Sequence, residues 1–300
     1  MLDDDPQGVR VACGLPSIPG FVVSTPARRA ELQVQAVPNP VDVLNAGHQQ
    51  ALAAADPAAA GAFGVMSAAF GPVLDTRATY VDAFAQNGYE LVFTSDFNSA
   101  GESNWRPFVD AMQSAGVEGF EFVGDPQNFA QLLEAMQLVG YFPRVSSVGT
   151  NFYDRNFADL VGDFATGIVV RSQFHPLELA EDNPATADYL ELMERYNPDG
   201  KIALLGQQAV SALLLFAVAV NACGDELSRN CVLEQAGSEA AWTGGGQHAA
   251  QDPSTNTPSP CFVLLDLGPD GFTVDEELTG ATDGIFNCEE DNLVDITAVG

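Results

Sequence analysis

Between residues 62 and 153 short apolar runs alternate with amphipathic stretches. The apolar runs, 63–67, 89–95, 119–123 and 144–148, read as strands. In the intervening segments, 75–86, 104–115 and 126–139, apolar residues recur every three and four positions, as on one face of a helix. Phe108, Met112 and Ala115 form one such stripe; Phe129, Leu132, Leu133, Met136 and Val139 form another. Strands alternating with helices predict right-handed crossovers and a parallel sheet covered on both faces. Ligands of such sheets lie at the carboxyl ends of the strands. The residues just past those ends are therefore candidates: Ala69 and Phe70, Asp96 and Phe97, Asp125, and Asn151 with Tyr153.

Around this stretch the pattern is weaker. Residues 9–12, 21–24 and 33–37 read as strands, the last stopped by Pro38-Asn39-Pro40. Residues 43–55 read as an alanine-rich helix. Beyond the stretch come a helix over 156–164, a strand over 167–171, helices over 185–195, 203–221 and 230–235, and a hairpin of strands 261–266 and 272–275 about Gly268-Pro269-Asp270-Gly271. The tail from residue 289 is acidic and shows no clear element. The run 202–220 is the nearest approach to a membrane span, but Gln207, Gln208 and Ser211 interrupt it and suit a buried helix.

Composition changes the picture in one way. The 300 residues carry 41 Asp and Glu against 11 Lys and Arg, a formal charge of −30, and Lys201 is the sole lysine. Such a surface repels phosphate backbones, so nucleic acid is excluded as a partner. Of the five cysteines, Cys223 and Cys231 flank a short loop, and Cys261 and Cys288 bracket the hairpin. Two local pairs suggest disulfides and an oxidising compartment, with Cys13 left free; buried free thiols are the alternative. The acidic N-terminus has neither a basic nor an apolar region of a signal peptide.

No catalytic signature is present: there is no nucleophile elbow, phosphate-binding loop, zinc-protease helix or dinucleotide fingerprint. No cofactor and no metal is expected. Asp266, Asp270, Gly271 and Glu277 have partial calcium-loop spacing, but Gly268 stands where a ligand is needed and a plain hairpin turn explains the stretch. Ser24 and Thr25 could hold a small carboxylate, or cap a helix. Asp125, before Pro126, could face a ligand ammonium, cap a helix, or both.

Five segments carry a family resemblance: IPGFVVSTP at 18–26, VQAVPNP at 34–40, the run from FTSDFNSAGESNW to FVGDP at 93–126, FAQLLEAMQLVGY at 129–141, and WTGGGQHAAQDPSTNTPSPCFVLLDL at 242–267. With them the chain resembles the type I extracytoplasmic solute-binding proteins of ABC transporters, in the branch that binds leucine, isoleucine and valine or amides. The resemblance implies an α/β fold of two lobes, each a parallel sheet flanked by helices, joined by three crossings and closing on a ligand. Residues 1–38 and 174–259 would form the N-terminal lobe, and 40–171 with 260–300 the C-terminal one. The N-terminal lobe is incomplete on this reading, about 100 residues short of a normal domain. The implied function is non-catalytic capture of an amino acid- or amide-like ligand by a monomer serving ABC permease subunits. It would work outside the cytoplasm, in the periplasm or at the cell surface, with a lipid anchor left open. A ligand-sensing ectodomain of the same fold and an α/β hydrolase or dehydrogenase are the alternatives. The ligand residues carried over are Ser24 and Thr25, Phe70 where the family has tyrosine, Asp125 where it has an aromatic, and Asn151 with Tyr153 where it has an acid.

Overall fold

The computed structural model describes residues 4–22, 24–255 and 257–296. In chain order the elements are α1 (Asp4–Ala12), α2 (Thr25–Arg28), β1 (Val43–Asn45), α3 (Gly47–Ala55), α4 (Pro57–Ala60), β2 (Phe63–Ala68), α5 (Gly71–Gln86), β3 (Leu91–Phe97), α6 (Arg106–Ala115), β4 (Gly119–Val123), α7 (Pro126–Val139), β5 (Val145–Val148), α8 (Arg155–Val161) and β6 (Ile168–Ser172). There follow α9 (Pro184–Tyr196), α10 (Leu204–Cys223), α11 (Arg229–Gly237), β7 (Val263–Gly268), β8 (Gly271–Val274), α12 (Glu276–Thr279) and β9 (Leu293–Asp295).

A seven-stranded sheet runs in the order β3-β2-β4-β5-β6-β7-β8. The first five strands are parallel, and β7 and β8 add antiparallel at one edge. All six residues of β2 are buried, as in a strand covered on both faces. At the far edge β3 alternates between part-buried and exposed positions until Phe97, which is buried.

Capping explains the helix limits. Asp125 accepts the Asn128 amide and Pro126 follows at the first helical position, so α7 begins there. Gly116 and Gly140, each at φ 71°, end α6 and α7 in the left-handed conformation that favours glycine. One face of the sheet packs on α6, α7 and α8 through Phe97, Phe120, Phe122, Phe129, Phe152 and Phe157, all buried. Burying one such ring contributes about 1.5–3 kcal/mol. The other face packs on α3 and α5 through Leu44, Phe63, Val65, Tyr80, Phe84 and Tyr89.

The remaining part is built differently. Residues 9–12 are helical rather than extended, within α1. Residues 21, 22, 24 and 33–37 form no strand; Ser17 and Gln33 make a single parallel bridge. Their polar groups go elsewhere: Gln35 Nε2 donates to the Arg28 carbonyl at 3.1 Å, and Ser24 caps α2. The expected helix over 43–55 begins instead as β1, which pairs antiparallel with β9 in the tail where no element was read. α10 has 20 residues without a charge and is long and apolar enough to cross a membrane by length and composition, beyond what the sequence reading granted it. Gln207, Gln208 and Ser211 are nevertheless buried in protein. Ser211 Oγ accepts from Trp242 Nε1 at 2.9 Å and lies 2.8 Å from His248 Nε2, while His248 Nδ1 donates to the Ala249 carbonyl at 2.8 Å. Leu213 and Phe216, on another face of α10, are exposed.

Both expected disulfides are present. Cys223–Cys231 joins the end of α10 to α11 with Cα atoms 6.0 Å apart, and Cys261–Cys288 joins the start of β7 to the tail with Cα atoms 4.0 Å apart. Cys13 is free and exposed. Among the described residues no group of three or more His, Cys, Asp or Glu could hold a metal, and the calcium-like spacing resolves into the β7–β8 hairpin.

Candidate functional site

The chain leaves β2 toward β3 on one side and leaves β4 toward β5 on the other. That reversal opens a crevice at the carboxyl ends of β2 and β4, the place where open α/β sheets bind ligands. A cavity of about 290 Å³ lies there. Its wall takes Phe122, Val123 and Gly124 from the end of β4 and Pro72, Val73, Thr76, Thr79 and Tyr80 from α5. Gly149, Thr150 and Asn151 follow β5. Residues 37–40, Arg171, Gln173 and Pro258 also line it, as do Phe21, Arg28 and, from α10, Gln208.

Local geometry fixes this wall. Asn151 Nδ2 donates to the Gly124 carbonyl at 2.9 Å, tying the β5 loop to the β4 loop. At Gly124 a Cβ would stand 2.7 Å from Phe97 Cζ and 2.9 Å from Phe122 Cε1, so glycine lets the loop lie on the aromatic core. Asn45 Nδ2 donates to the carbonyls of Ser259 and Cys261 at 2.9 and 3.1 Å, joining β1 to the segment leading into β7. Arg28 donates from Nε to the Val22 carbonyl at 3.3 Å and from Nη1 to the Pro40 carbonyl at 2.9 Å. The hydroxyls of Thr76 and Thr79 turn back onto the α5 backbone, to the carbonyls of Pro72 and Asp75 at 3.0 Å each.

Two charged side chains stand out. Glu121 lies mid-strand in β4, fully buried on the α3/α5 face of the sheet. Neither carboxyl oxygen makes a hydrogen bond of good geometry. Burial pushes its pKa up to about 7, and Ser147, its register partner on β5, partly opposes that rise. Arg171 lies near the end of β6, with its Nε buried and unpartnered. Its guanidinium lies across the Tyr80 ring, Cζ 4.8 Å from the centroid, and Nη2 donates to the Tyr80 hydroxyl. Burial lowers its pKa to about 10, so it stays cationic at neutral pH. Beneath it His48 is fully buried, and burial together with the Arg171 charge holds its pKa well below the usual value.

Of the six ligand residues that the family resemblance carried over, Asn151 is in the cavity wall; Ala69, Asp96 and Phe97, the other strand-end candidates, are not. Ser24 is buried as the cap of α2, accepting from the Ala27 amide at 3.2 Å, and Thr25 is the first residue of that helix. Phe70 precedes α5, one residue before the turn that supplies Pro72 and Val73. Asp125 caps α7, and its second oxygen accepts from Asn128 Nδ2. Tyr153 is buried in the core; its hydroxyl contacts Glu178 and the Leu177 amide and its ring meets Phe272 edge-on at 4.9 Å. Sequence reasoning missed Glu121 and Arg171. The signal was available: each is a charge inside an otherwise apolar strand, GFEFV and IVVRS, where burial is costly without a reason.

A family described as periplasmic binding protein matches residues 37–271, more than half of the chain. The chain belongs to the periplasmic binding protein family. Solved structures agree on the fold. A substrate-binding periplasmic protein from Ralstonia solanacearum superposes with a TM-score of 0.73 at 14% identity, over 90% of this chain and 76% of that one. For a leucine binding protein from Thermotoga maritima the values are 0.70, 12%, 90% and 74%. For an ABC transporter substrate binding protein from Aeropyrum pernix they are 0.71, 14%, 96% and 74%. No curated protein matches the sequence at a significant level. This periplasmic binding protein therefore has the two-lobed type I fold, binds a solute and is not an enzyme; its family acts outside the cytoplasm.

Proposed function

We propose that this periplasmic binding protein is the solute receptor of an ABC importer and captures a small amino acid- or amide-like molecule as a monomer. The ligand lies in the 290 Å³ cavity, which carries the reading. Residues 1–38 with 174–259 form one jaw, and 40–171 with 260–300 the other. Asn151 meets the ligand directly. Ser24, Thr25, Phe70 and Asp125 open the helices around the cavity and become ligand contacts as the jaws close, while Tyr153 braces the β5 loop from behind. Several features support this: the cavity lies at the switch point of the sheet, draws on both jaws, and mixes apolar walls with a few convergent polar groups, as small-ligand sites do. Its size is at the low end for such sites. The titration to run is thermal unfolding of the full chain with each proteinogenic amino acid and with short aliphatic amides. A ligand held by the folded state alone raises Tm, by about 2.7 kcal/mol of stability at a hundredfold excess over Kd. No shift with any member would overturn the proposed ligand class.

A further inference from the structure

The segment after β5, residues 149–155, touches the cavity at one end and α10 at the other. Gly149, Thr150 and Asn151 line the cavity, and Asn151 Nδ2 is tied to the Gly124 carbonyl. Phe152 then anchors the segment in the core under the sheet, its ring meeting Phe129 and Phe157 edge-on at 5.5 and 5.3 Å. The next three residues grip the opposite jaw. The Leu204 amide donates to the Tyr153 carbonyl at 3.0 Å, and the Arg155 amide donates to the Ile202 carbonyl at 3.2 Å. α10 starts after Ala203, which offers no side-chain cap, so Tyr153 supplies the acceptor that its first amide would otherwise lack. Two side chains reinforce this joint. The Tyr153 hydroxyl contacts the Glu178 carboxylate and accepts from the Leu177 amide at 2.5 Å, just past the crossing at 173–176. Asp154, with its side chain 1% exposed, caps α8 through one oxygen and pairs with Lys201, the only lysine of the chain, through the other. About one turn beyond Leu204, Gln208 of α10 lines the same cavity as Asn151.

We propose that residues 149–155 are a strap that gates the cavity. Clamped on residues 177–178 and 201–204, the strap holds the wall at Asn151 and the wall at Gln208 together; released, it lets the jaws part and a ligand pass. This rests on the receptor reading above and adds to it the joint at which the jaws open. The clamp sits at the edge of the apolar core, where Leu177 and Leu204 are buried, and is held by a few polar contacts, one of them to a half-exposed lysine. The parallel strands behind it have ladders on both sides and apolar cover on both faces. The clamp is therefore the joint that opens first, as one unit and without unfolding of the sheet.

Hydrogen exchange of the full chain, read amide by amide, tests this. Without ligand, the amides of Arg155, Leu177 and Leu204 are expected to share one protection factor, about tenfold or more below that of the buried amides of β2 and β4. This comparison needs no variant, so misfolding cannot hide the answer. Tyr153→Phe keeps the ring against Phe272 and removes the hydroxyl. It should lower the protection of all three amides by one common factor, about fivefold or more, whereas a merely local contact would free Leu177 alone. Asp154→Asn, which still caps α8, should also lower all three together, although it deletes none of their bonds. Leucine and acetamide serve as ligand probes. A compound that raises Tm should protect the three amides by the same factor as those of β2 and β4, because a ligand held only by the clamped state must leave before the strap opens. Three results would overturn the strap and leave the receptor reading standing: the three amides exchanging only as slowly as β2 and β4, Tyr153→Phe freeing Leu177 alone, or a compound protecting β2 and β4 but not the strap. If neither compound raises Tm, that counts against the ligand class of the receptor and not against the strap, which the unliganded pattern and the two variants decide.

Discussion

The part of the molecule built on the seven strands and the part built on α10 are held by different forces. In the first, backbone ladders join five parallel strands, and two apolar cores seal both faces. In the second, the described residues of 13–40 and 174–259 add no strand to either sheet, and only isolated bridges such as Ser17–Gln33 and Trp242–Gln251 join them. There a smaller core around Val34, Leu215 and Trp242 is supplemented by a buried polar chain, Trp242 to Ser211 to His248, and by the Cys223–Cys231 bridge. The difference teaches where rigidity resides. The cavity takes its fixed wall from strand ends and its opposing wall from loops pinned by side-chain hydrogen bonds, an arrangement suited to a jaw that moves against a platform.

The largest effect should come from the platform. Phe129 is fully buried between α7 and the sheet, touching Phe120, Phe122, Phe152 and Phe157. Phe129→Ala is expected to cost about 3–5 kcal/mol in denaturant unfolding. A loss under 1 kcal/mol would mean that the platform is not the stable unit.

Next come the bridges. Cys261–Cys288 spans 27 residues and Cys223–Cys231 spans 8. In the chain-entropy description their removal should cost about 3.6 and 2.5 kcal/mol respectively. Paired Cys→Ser variants, unfolded by urea, check both the size and the order.

A pH effect sharpens the comparison, since it belongs to the platform alone. The Glu121 pKa rises on folding from 4.5 to about 7, so the folded state holds the proton more tightly. The sign follows: there is no penalty below pH 4.5, the penalty grows as pH rises, and it is complete above about pH 7. Its size is on the order of 3 kcal/mol at most. Glu121→Gln should therefore stabilise the protein by roughly 1–3 kcal/mol at pH 8 and leave it unchanged at pH 4. Equal effects at both pH values in urea melts would refute the buried, protonated state.

The smallest effect should come from the far face of α10. Leu213 is 64% exposed. Leu213→Ser should change stability by less than about 0.5 kcal/mol. A loss of 2 kcal/mol or more would show that this face is covered in solution.

The same contrast explains what could be read in advance. In the platform the period of the apolar positions is imposed by packing, so β4 and α7 begin and end where the sequence placed them. Asp125-Pro126 and Gly140 mark their limits by local chemistry alone. Elsewhere extended-looking runs such as 33–37 had no partner strand to pair with, and a β pattern without a neighbour folds as loop, here with the Val34 amide donating to the Ser17 carbonyl at 3.1 Å. β1 and β9 escaped notice for a related reason: each is three residues long and meaningful only through a pairing about 250 residues away. Of the six residues carried over, the cavity wall includes Asn151 alone. Strand ends pointed to Asn151 and to the neighbours of Phe70. Arg171 and Glu121 gain their meaning from what surrounds them, which periodicity does not report.

The most direct test of the receptor and its cavity is a crystal structure of the full chain with the compound that raises its Tm most. The expected result is ligand density inside the cavity, with a polar group of the ligand within 3.2 Å of Arg171 or Asn151 nitrogen. Ligand bound outside the wall formed by Phe122, Asn151 and Arg171, with the cavity empty, would contradict it.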